Sequence, residues 1–258
     1  MQNADSNFGF LQRMSAWTVH LFTALAAVVG FVTLIKINEH QYLEAIWLIG
    51  IAVLIDAIDG TLARLVKIKQ VLPNIDGALL DNMVDYLNYV ITPMFFMYIK
   101  PDMLPPSMAL LIISIVILSS TYQFCQSDAK TPDHFFKGFP CYWNIALFYF
   151  FIFQSSAYTN AAVLIILSIL IFIPIKYVYP SRLKYLTESY TLRILMHVYS
   201  VVFGVSLAIL LIQYPNTSTF WLGVSLSYAV VYLWLSLYRT YYPLIKLKIA
   251  AKKNHEKH

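Results

Sequence analysis

Four aspartates carry the first chemical signal in this chain. Asp56 and Asp59 stand three residues apart, and Asp81 and Asp85 four apart, so on helices the members of each pair share a face. Both pairs fall within long apolar runs, where a carboxylate is costly and marks a functional site by default. Gathered carboxylates repel one another, and protonation or cations must relieve this. Two divalent ions would match the formal charge. Hard oxygen ligands suit Mg²⁺, Mn²⁺ or Ca²⁺ and not Zn²⁺, for which the chain has no Cys/His set. A proton-sharing or purely structural polar cluster is the other reading of the aspartates alone.

The neighbouring residues extend the pattern. Asp56, Gly60 and Arg64 follow one stripe at spacing four, and Asp59 and Ala63 the next. Gly60 and Ala63 leave a groove where a ligand can approach the backbone. Arg64, one turn beyond the carboxylates, is placed to hold a phosphate or to complete the charge network. Gly77, Asp81 and Asp85 form a third stripe. For either glycine by itself, plain helix packing is the simpler explanation.

The elements that must position these residues are membrane helices. Of the 258 residues, 59% are hydrophobic and 12% charged, against about 25% charged in soluble domains. That excludes an ordinary soluble enzyme, a disordered chain and a basic nucleic-acid binder. Cys125 and Cys141 are too few for a disulfide framework. The composition predicts an all-α integral membrane protein of about eight transmembrane helices. The spans are expected near 16–37, 43–67, 78–99, 105–125, 142–157, 160–178, 192–214 and 218–243. Ala24-Leu25-Ala26 resembles a cleavage site, but apolar residues continue past it to Ile35, so the first span is read as retained. Residues 1–15 read as an amphipathic surface segment through Phe8, Phe10, Leu11 and Met14, 16–245 as one catalytic domain, and 246–258 as a basic tail.

With the N-terminus inside, 16 of the 18 Lys and Arg face one side and only Lys36 and Lys100 the other. The positive-inside rule then puts both termini, and the aspartate-bearing ends of spans two and three, in the cytoplasm. Lys176, Arg182 and Lys184, with Tyr177 and Tyr179, read mainly as anchors on that side, with a lipid phosphate as a further contact.

The string Asp56-x2-Asp59-Gly60-x2-Ala63-Arg64 followed by Gly77-x3-Asp81-x3-Asp85 resembles the signature of the CDP-alcohol phosphotransferases, membrane enzymes that join an alcohol to a CDP-activated partner and release CMP. Most of that family has eight residues between the Arg and the second Gly, whereas Leu65 to Asp76 makes twelve here. The longer loop is similar to the bacterial phosphatidylcholine synthase branch, as are 16–23, 124–130 and 133–140. The resemblance implies transfer of the phosphatidyl group of CDP-diacylglycerol to choline in a bacterial inner membrane, with the site facing the cytoplasm. It also implies two divalent ions, Mn²⁺ or Mg²⁺, and the family expectation of a homodimer. Under it Asp56, Asp59 and Asp81 hold metal, and Asp85 is the general base, also touching metal.

The nucleotide would lie over Gly60, Ala63, Arg64 and Gly77, with His20 and Thr23 of span one as further candidates. A hydrogen-bonded helix histidine is the plainer account of His20. Choline donates no hydrogen bond through its quaternary ammonium, so aromatic faces and anions must bind it. Tyr86, Tyr89, Tyr122, Tyr142 and Trp143 are the candidate rings, with Asn82 and Asn144 as polar lining, although packing explains any one ring more simply. Lys137 and His134 are candidates for a phosphate. The rival readings are another acceptor (serine, inositol, ethanolamine or glycerol phosphate) or a divalent-cation transporter. For the transporter reading, the outer halves of spans two and three, from Trp47 to Ile55 and from Tyr89 to Met97, offer almost no ionisable groups.

Overall fold

The computed structural model describes residues 8–131, 133, 135–179 and 189–255, with side chains through 242. Its helices are α1 (Phe10–Asn38), α2 (Tyr42–Leu65), α3 (Ile68–Val71), α4 (Gly77–Asp85), α5 (Thr92–Ile99), α6 (Ala109–Cys125), α7 (Trp143–Phe153), α8 (Ala157–Ile171), α9 (Tyr190–Gln213) and α10 (Thr219–His255). A π-helical segment, Tyr86–Ile91, joins α4 to α5. By length and composition α1, α2, α9 and the first 24 residues of α10 can cross a membrane. These match the first, second, seventh and eighth expected spans, and α6, α7 and α8 are shorter apolar helices. The third expected span is the composite of α4, π segment and α5.

The chain divides into two compact units. The first comprises Met1–Phe124 and Tyr142–Ala161. Its central element is α1, which packs on α2, α4, the π segment and α5. Ala16, Val19, His20, Thr23, Ala26, Gly30, Thr33 and Ile37 are its buried stripe. Trp17, Leu21, Leu25, Val28, Phe31 and Ile35 are exposed. A helix apolar on both faces suits a core on one side and hydrocarbon on the other. No glycine or proline interrupts 10–16, so α1 starts at Phe10 without a break. Of the segment expected over 1–15, residues 10–15 form the first turns of α1, and 1–7 lie outside the described residues.

Pro93 accounts for the π segment. It has no N–H for the Tyr89 carbonyl, and its ring would crowd that carbonyl in a regular α-helix; widening the preceding turn relieves both problems. Asn88 then ties the segment to its surroundings, donating from Nδ2 to the Ala26 carbonyl at 2.9 Å and the Val84 carbonyl at 3.1 Å. The twelve-residue stretch between Arg64 and Gly77 is only partly loop. Lys67 takes a left-handed conformation at φ 52° and starts α3. Ile68 and Val71 of α3 are buried with Ala16 and Val19 of α1, against Leu62 and Ala63 of α2.

The second unit comprises Cys125–Cys141 and Ala162–His258, and it adds one short strand pair to a mostly helical chain. Strands β1 (Phe136–Lys137) and β2 (Lys176–Tyr177) pair antiparallel, Phe136 opposite Tyr177. Helix ends explain the pairing. The Phe139 N–H donates to the Leu170 carbonyl at 3.1 Å, satisfying one of the carbonyls that the last turn of α8 leaves open. Gly138 sits at φ 79°, and any Cβ there would collide with the Ile171 carbonyl oxygen. From the other side, the Lys176 N–H donates to Thr240 Oγ1 at 2.8 Å and the Val178 N–H to Ser236 Oγ at 3.2 Å, both on α10.

Candidate active site

The first unit assembles the aspartates from two helices. Asp56 on α2 and Asp81 and Asp85 on α4 place one carboxylate oxygen each within 4.8 Å of the others, all three half-buried. Two ligand oxygens on opposite sides of a Mg²⁺ stand about 4.2 Å apart, and for Ca²⁺ about 4.6–5.2 Å. The three carboxylates therefore fit a hard divalent cation in donor chemistry, and their 4.8 Å limit falls in the Ca²⁺ range and about 0.6 Å beyond a closed Mg²⁺ shell.

Asp59 is placed differently. Three residues along an α-helix leave it about 60° round from Asp56, which turns it toward α1. Its carboxylate is buried, near Thr23, whose hydroxyl donates to the Val19 carbonyl at 3.3 Å, with Asp81 and Arg64 in electrostatic reach. The trio does not include it.

The fifth acid of the stretch, Asp76, caps α4. Its Oδ1 accepts from the N–H groups of Ala78 and Leu79, each at 3.0 Å. The cap fixes where α4 begins and so the phase of Gly77, Asp81 and Asp85. Its signal was readable: an Asp directly before a glycine-led apolar helix. Gly77 itself packs on α1, where an added Cβ would stand 3.0 Å from His20 Cε1. His20 Nε2 is buried without a hydrogen-bond partner, so the plain account of His20 as a hydrogen-bonded helix histidine does not hold for that nitrogen. Arg64 lies back along its own helix. Nη2 donates to Thr61 Oγ1 at 2.9 Å, and Nη1 is 3.4 Å from where a Cβ on Gly60 would be.

Of the aromatic candidates, Tyr89 meets the aspartates directly. Its hydroxyl donates to Asp56 Oδ2 at 2.6 Å. Its ring lies 6.3 Å from that of Tyr142, tilted by 44°. Tyr86 turns to α6, with its hydroxyl 2.8 Å from Thr121 Oγ1 and its ring edge-on to Phe124. Trp143 is fully buried and donates to Ser120 Oγ at 2.8 Å, so it packs α7 on α6. Tyr122 is half-exposed on α6, and Asn82 half-buried on α4. Asn144 is buried; its Oδ1 accepts from the Ile145 N–H, and its Nδ2 has no partner.

The phosphate candidates lie on the second unit. Lys137 forms an ion pair with Asp128 at 2.6 Å, and Lys176 one with Asp133 at 2.6 Å. The hydrogen bond from Lys137 holds the Asp128 carboxyl below its ordinary range. Burial works to raise Asp133, but hydrogen bonds from Lys176 and Thr131 outweigh it and the net direction is again downward. His134, Arg182 and Lys184 lie outside the described residues.

Comparison with known proteins identifies the family. Residues 16–242 match the CDP-alcohol phosphatidyltransferase family. The chain is 58% identical over 244 residues to a phosphatidylcholine synthase of Legionella pneumophila, covering 95% of this chain and 96% of that protein. A phosphatidylcholine synthase of Legionella bozemanae is 64% identical over 217 residues, covering 84% of this chain and all of the relative. One from Pseudomonas aeruginosa is 30% identical over 230 residues, 89% of this chain and 94% of its own length. The chain belongs to the CDP-alcohol phosphatidyltransferase family, and with its long apolar helices it is a multi-pass membrane protein.

Proposed function

We propose that this protein is a phosphatidylcholine synthase, which transfers the phosphatidyl group of CDP-diacylglycerol to choline and releases CMP. The observation that carries the reading is the convergence of Asp56, Asp81 and Asp85 on a chain so close to proteins of that name. Asp56 and Asp81, with Asp85 alongside, are the ligands for a divalent ion, Mn²⁺ or Mg²⁺. Asp59 would join them for a second ion by turning from the α1 side toward Asp81. Divalent ions bound there would neutralise the pyrophosphate oxygens as CMP departs.

The chain's own groups do the rest. The choline hydroxyl oxygen forms a bond to the β-phosphorus, the bond from that phosphorus to the bridging oxygen breaks, and CMP takes the electron pair. Asp85 accepts the hydroxyl proton as the O–P bond forms, since a carboxylate is too weak a base to remove it beforehand. Gly60, Ala63 and Gly77 leave room for the nucleotide. Arg64 is within a side-chain swing of its phosphates, and the buried His20 Nε2 has hydrogen-bonding capacity to spare. Tyr89 and Tyr142 offer ring faces to the quaternary ammonium, and Asn144 Nδ2 is a buried donor on the same helix end as Tyr142. Tyr86, Tyr122 and Asn82 are secondary candidates, while the burial of Trp143 argues for packing. The site would face the cytoplasm of a bacterial inner membrane, within one catalytic region from 16 to 245, and the protein would act as a homodimer.

The test is CMP release by purified protein in detergent with CDP-diacylglycerol and Mn²⁺ or Mg²⁺, offering choline, serine, inositol or glycerol phosphate in turn. Release that depends on choline alone is expected. Release with another alcohol would reassign the acceptor, and no release with any alcohol would remove the enzyme reading.

A further inference from the structure

Resting on the metal reading above, we infer that Tyr89 is a positioning residue: its hydroxyl orients Asp56 for the cation, a role separate from any contact of its ring with choline. The first ground is geometric. The hydroxyl donates to Asp56 Oδ2 at 2.6 Å, across from the π segment to α2. That is the length of a charge-assisted O–H···O bond. It occupies one lone-pair site of a carboxylate that offers about four, so it restricts how Asp56 rotates and is compatible with ligation.

The second ground is the path of the backbone. Gly77, Asp81, Asp85 and Tyr89 follow one another at spacing four. On an unbroken α-helix such a stripe drifts forward around the axis at each step. Tyr89 lies in the π segment, where each residue advances less, so it is swung back toward the face that carries Asp81 and Asp85. The π turn, which Pro93 imposes, thus has a consequence at the site: it brings the phenol onto the acidic cluster. Asn88, locked to Ala26 and Val84, and the burial of the Tyr89 side chain leave the ring little freedom. Groups that hydrogen-bond to metal ligands typically contribute 10–100-fold to metal affinity.

The test uses Mn²⁺ alone, with free Mn²⁺ read by electron paramagnetic resonance on the full-length protein in detergent, without either substrate. Tyr89→Phe keeps the ring and its packing and removes one oxygen. It should weaken Mn²⁺ binding about 10–100-fold and leave the unfolding temperature measured without metal unchanged, with any change in the choline KM at saturating Mn²⁺ smaller than the loss of Mn²⁺ affinity. Tyr142→Leu should show the opposite split, raising the choline KM with Mn²⁺ affinity intact. In an Asp56→Asn background, Tyr89→Phe should add no further loss of Mn²⁺ affinity, because the two act through one contact. That double variant keeps the test readable if the single one purifies poorly. Wild-type Mn²⁺ affinity in Tyr89→Phe, or additive losses in the double variant, would overturn the inference and leave the proposed enzyme standing. A wild-type protein that releases CMP yet binds no Mn²⁺ would overturn the inference through its metal premise.

Discussion

In the first unit, Asp56, Asp81 and Asp85 face one another with oxygens inside 4.8 Å. In the second, Asp128 and Asp133 each face a lysine at 2.6 Å. The two arrangements obey the same electrostatics and lead to different conclusions. An acid beside a lysine is satisfied by the fold, and its place in the structure needs no ligand to explain it. Like charges turned toward each other near hydrocarbon raise the free energy of the fold, and a bound cation or a shared proton would lower it. The contrast separates bracing from chemistry within one molecule, and it can be broken at several points.

The largest effect is expected at Asp85. Asp85→Asn should abolish choline-dependent CMP release, a loss of at least 10²–10⁴-fold for a general base, while Mn²⁺ binding persists in part through Asp56 and Asp81. Robust transfer by that variant would remove the base assignment. A chelator should stop turnover of the wild-type protein equally completely, and added Mn²⁺ or Mg²⁺ should restore it. Turnover that survives chelation would return the acidic trio to the category of structural clusters.

A second pair of variants separates packing from ligand space inside the first unit. Gly30→Ala would set its Cβ 2.6 Å from Asn88 Oδ1 and 3.0 Å from Leu87 Cδ2, where α1 meets the π segment. Overpacking of this kind costs roughly 1–3 kcal/mol, and a lower unfolding temperature in detergent should report it. Gly60→Ala meets only the flexible Arg64 Nη1, at 3.4 Å, and removes a helix glycine that costs about 0.5–1 kcal/mol relative to alanine. It should leave stability unchanged or raised and show its effect in a higher KM for CDP-diacylglycerol. A Gly60→Ala protein with an unaltered KM would make that glycine a packing residue like Gly30.

The chemistry in this sequence was legible wherever it rides on unbroken helix. The stripe Gly77, Asp81, Asp85 reads at spacing four because α4 is regular and capped by Asp76, and Asp56 faces it because α2 is also regular. Asp59 was grouped with Asp56 on the same rule, but a spacing of three rotates it toward Thr23, and only packing shows that α1 fills that side. The role of Tyr89 was hidden by the π turn, whose sole local sign is a proline four residues on. The β pairing and the ion pairs at Lys137 and Lys176 join residues about 40 positions apart or sit in a polar loop with no periodicity, so the sequence presented those lysines as membrane-side charge and phosphate candidates and gave no sign of their acidic partners.

The smallest effects belong to the paired acids, and they test the bracing side of the contrast. Asp128 and Asp133 both titrate below the ordinary carboxylate range. A depressed carboxyl contributes stability that is present above its unfolded pKa, about 3.9, and is lost as pH falls through its folded value. The two ion pairs should therefore be complete at pH 7 and still intact at pH 5. Amide exchange across 128–137, corrected for intrinsic rates, should show the same protection at both pH values. Lys137→Met should loosen the same stretch slightly, since exposed pairs contribute little, and should leave the KM for CDP-diacylglycerol unchanged. A clear rise in that KM would move Lys137 from bracing to chemistry, as a phosphate contact that Asp128 holds only until substrate arrives.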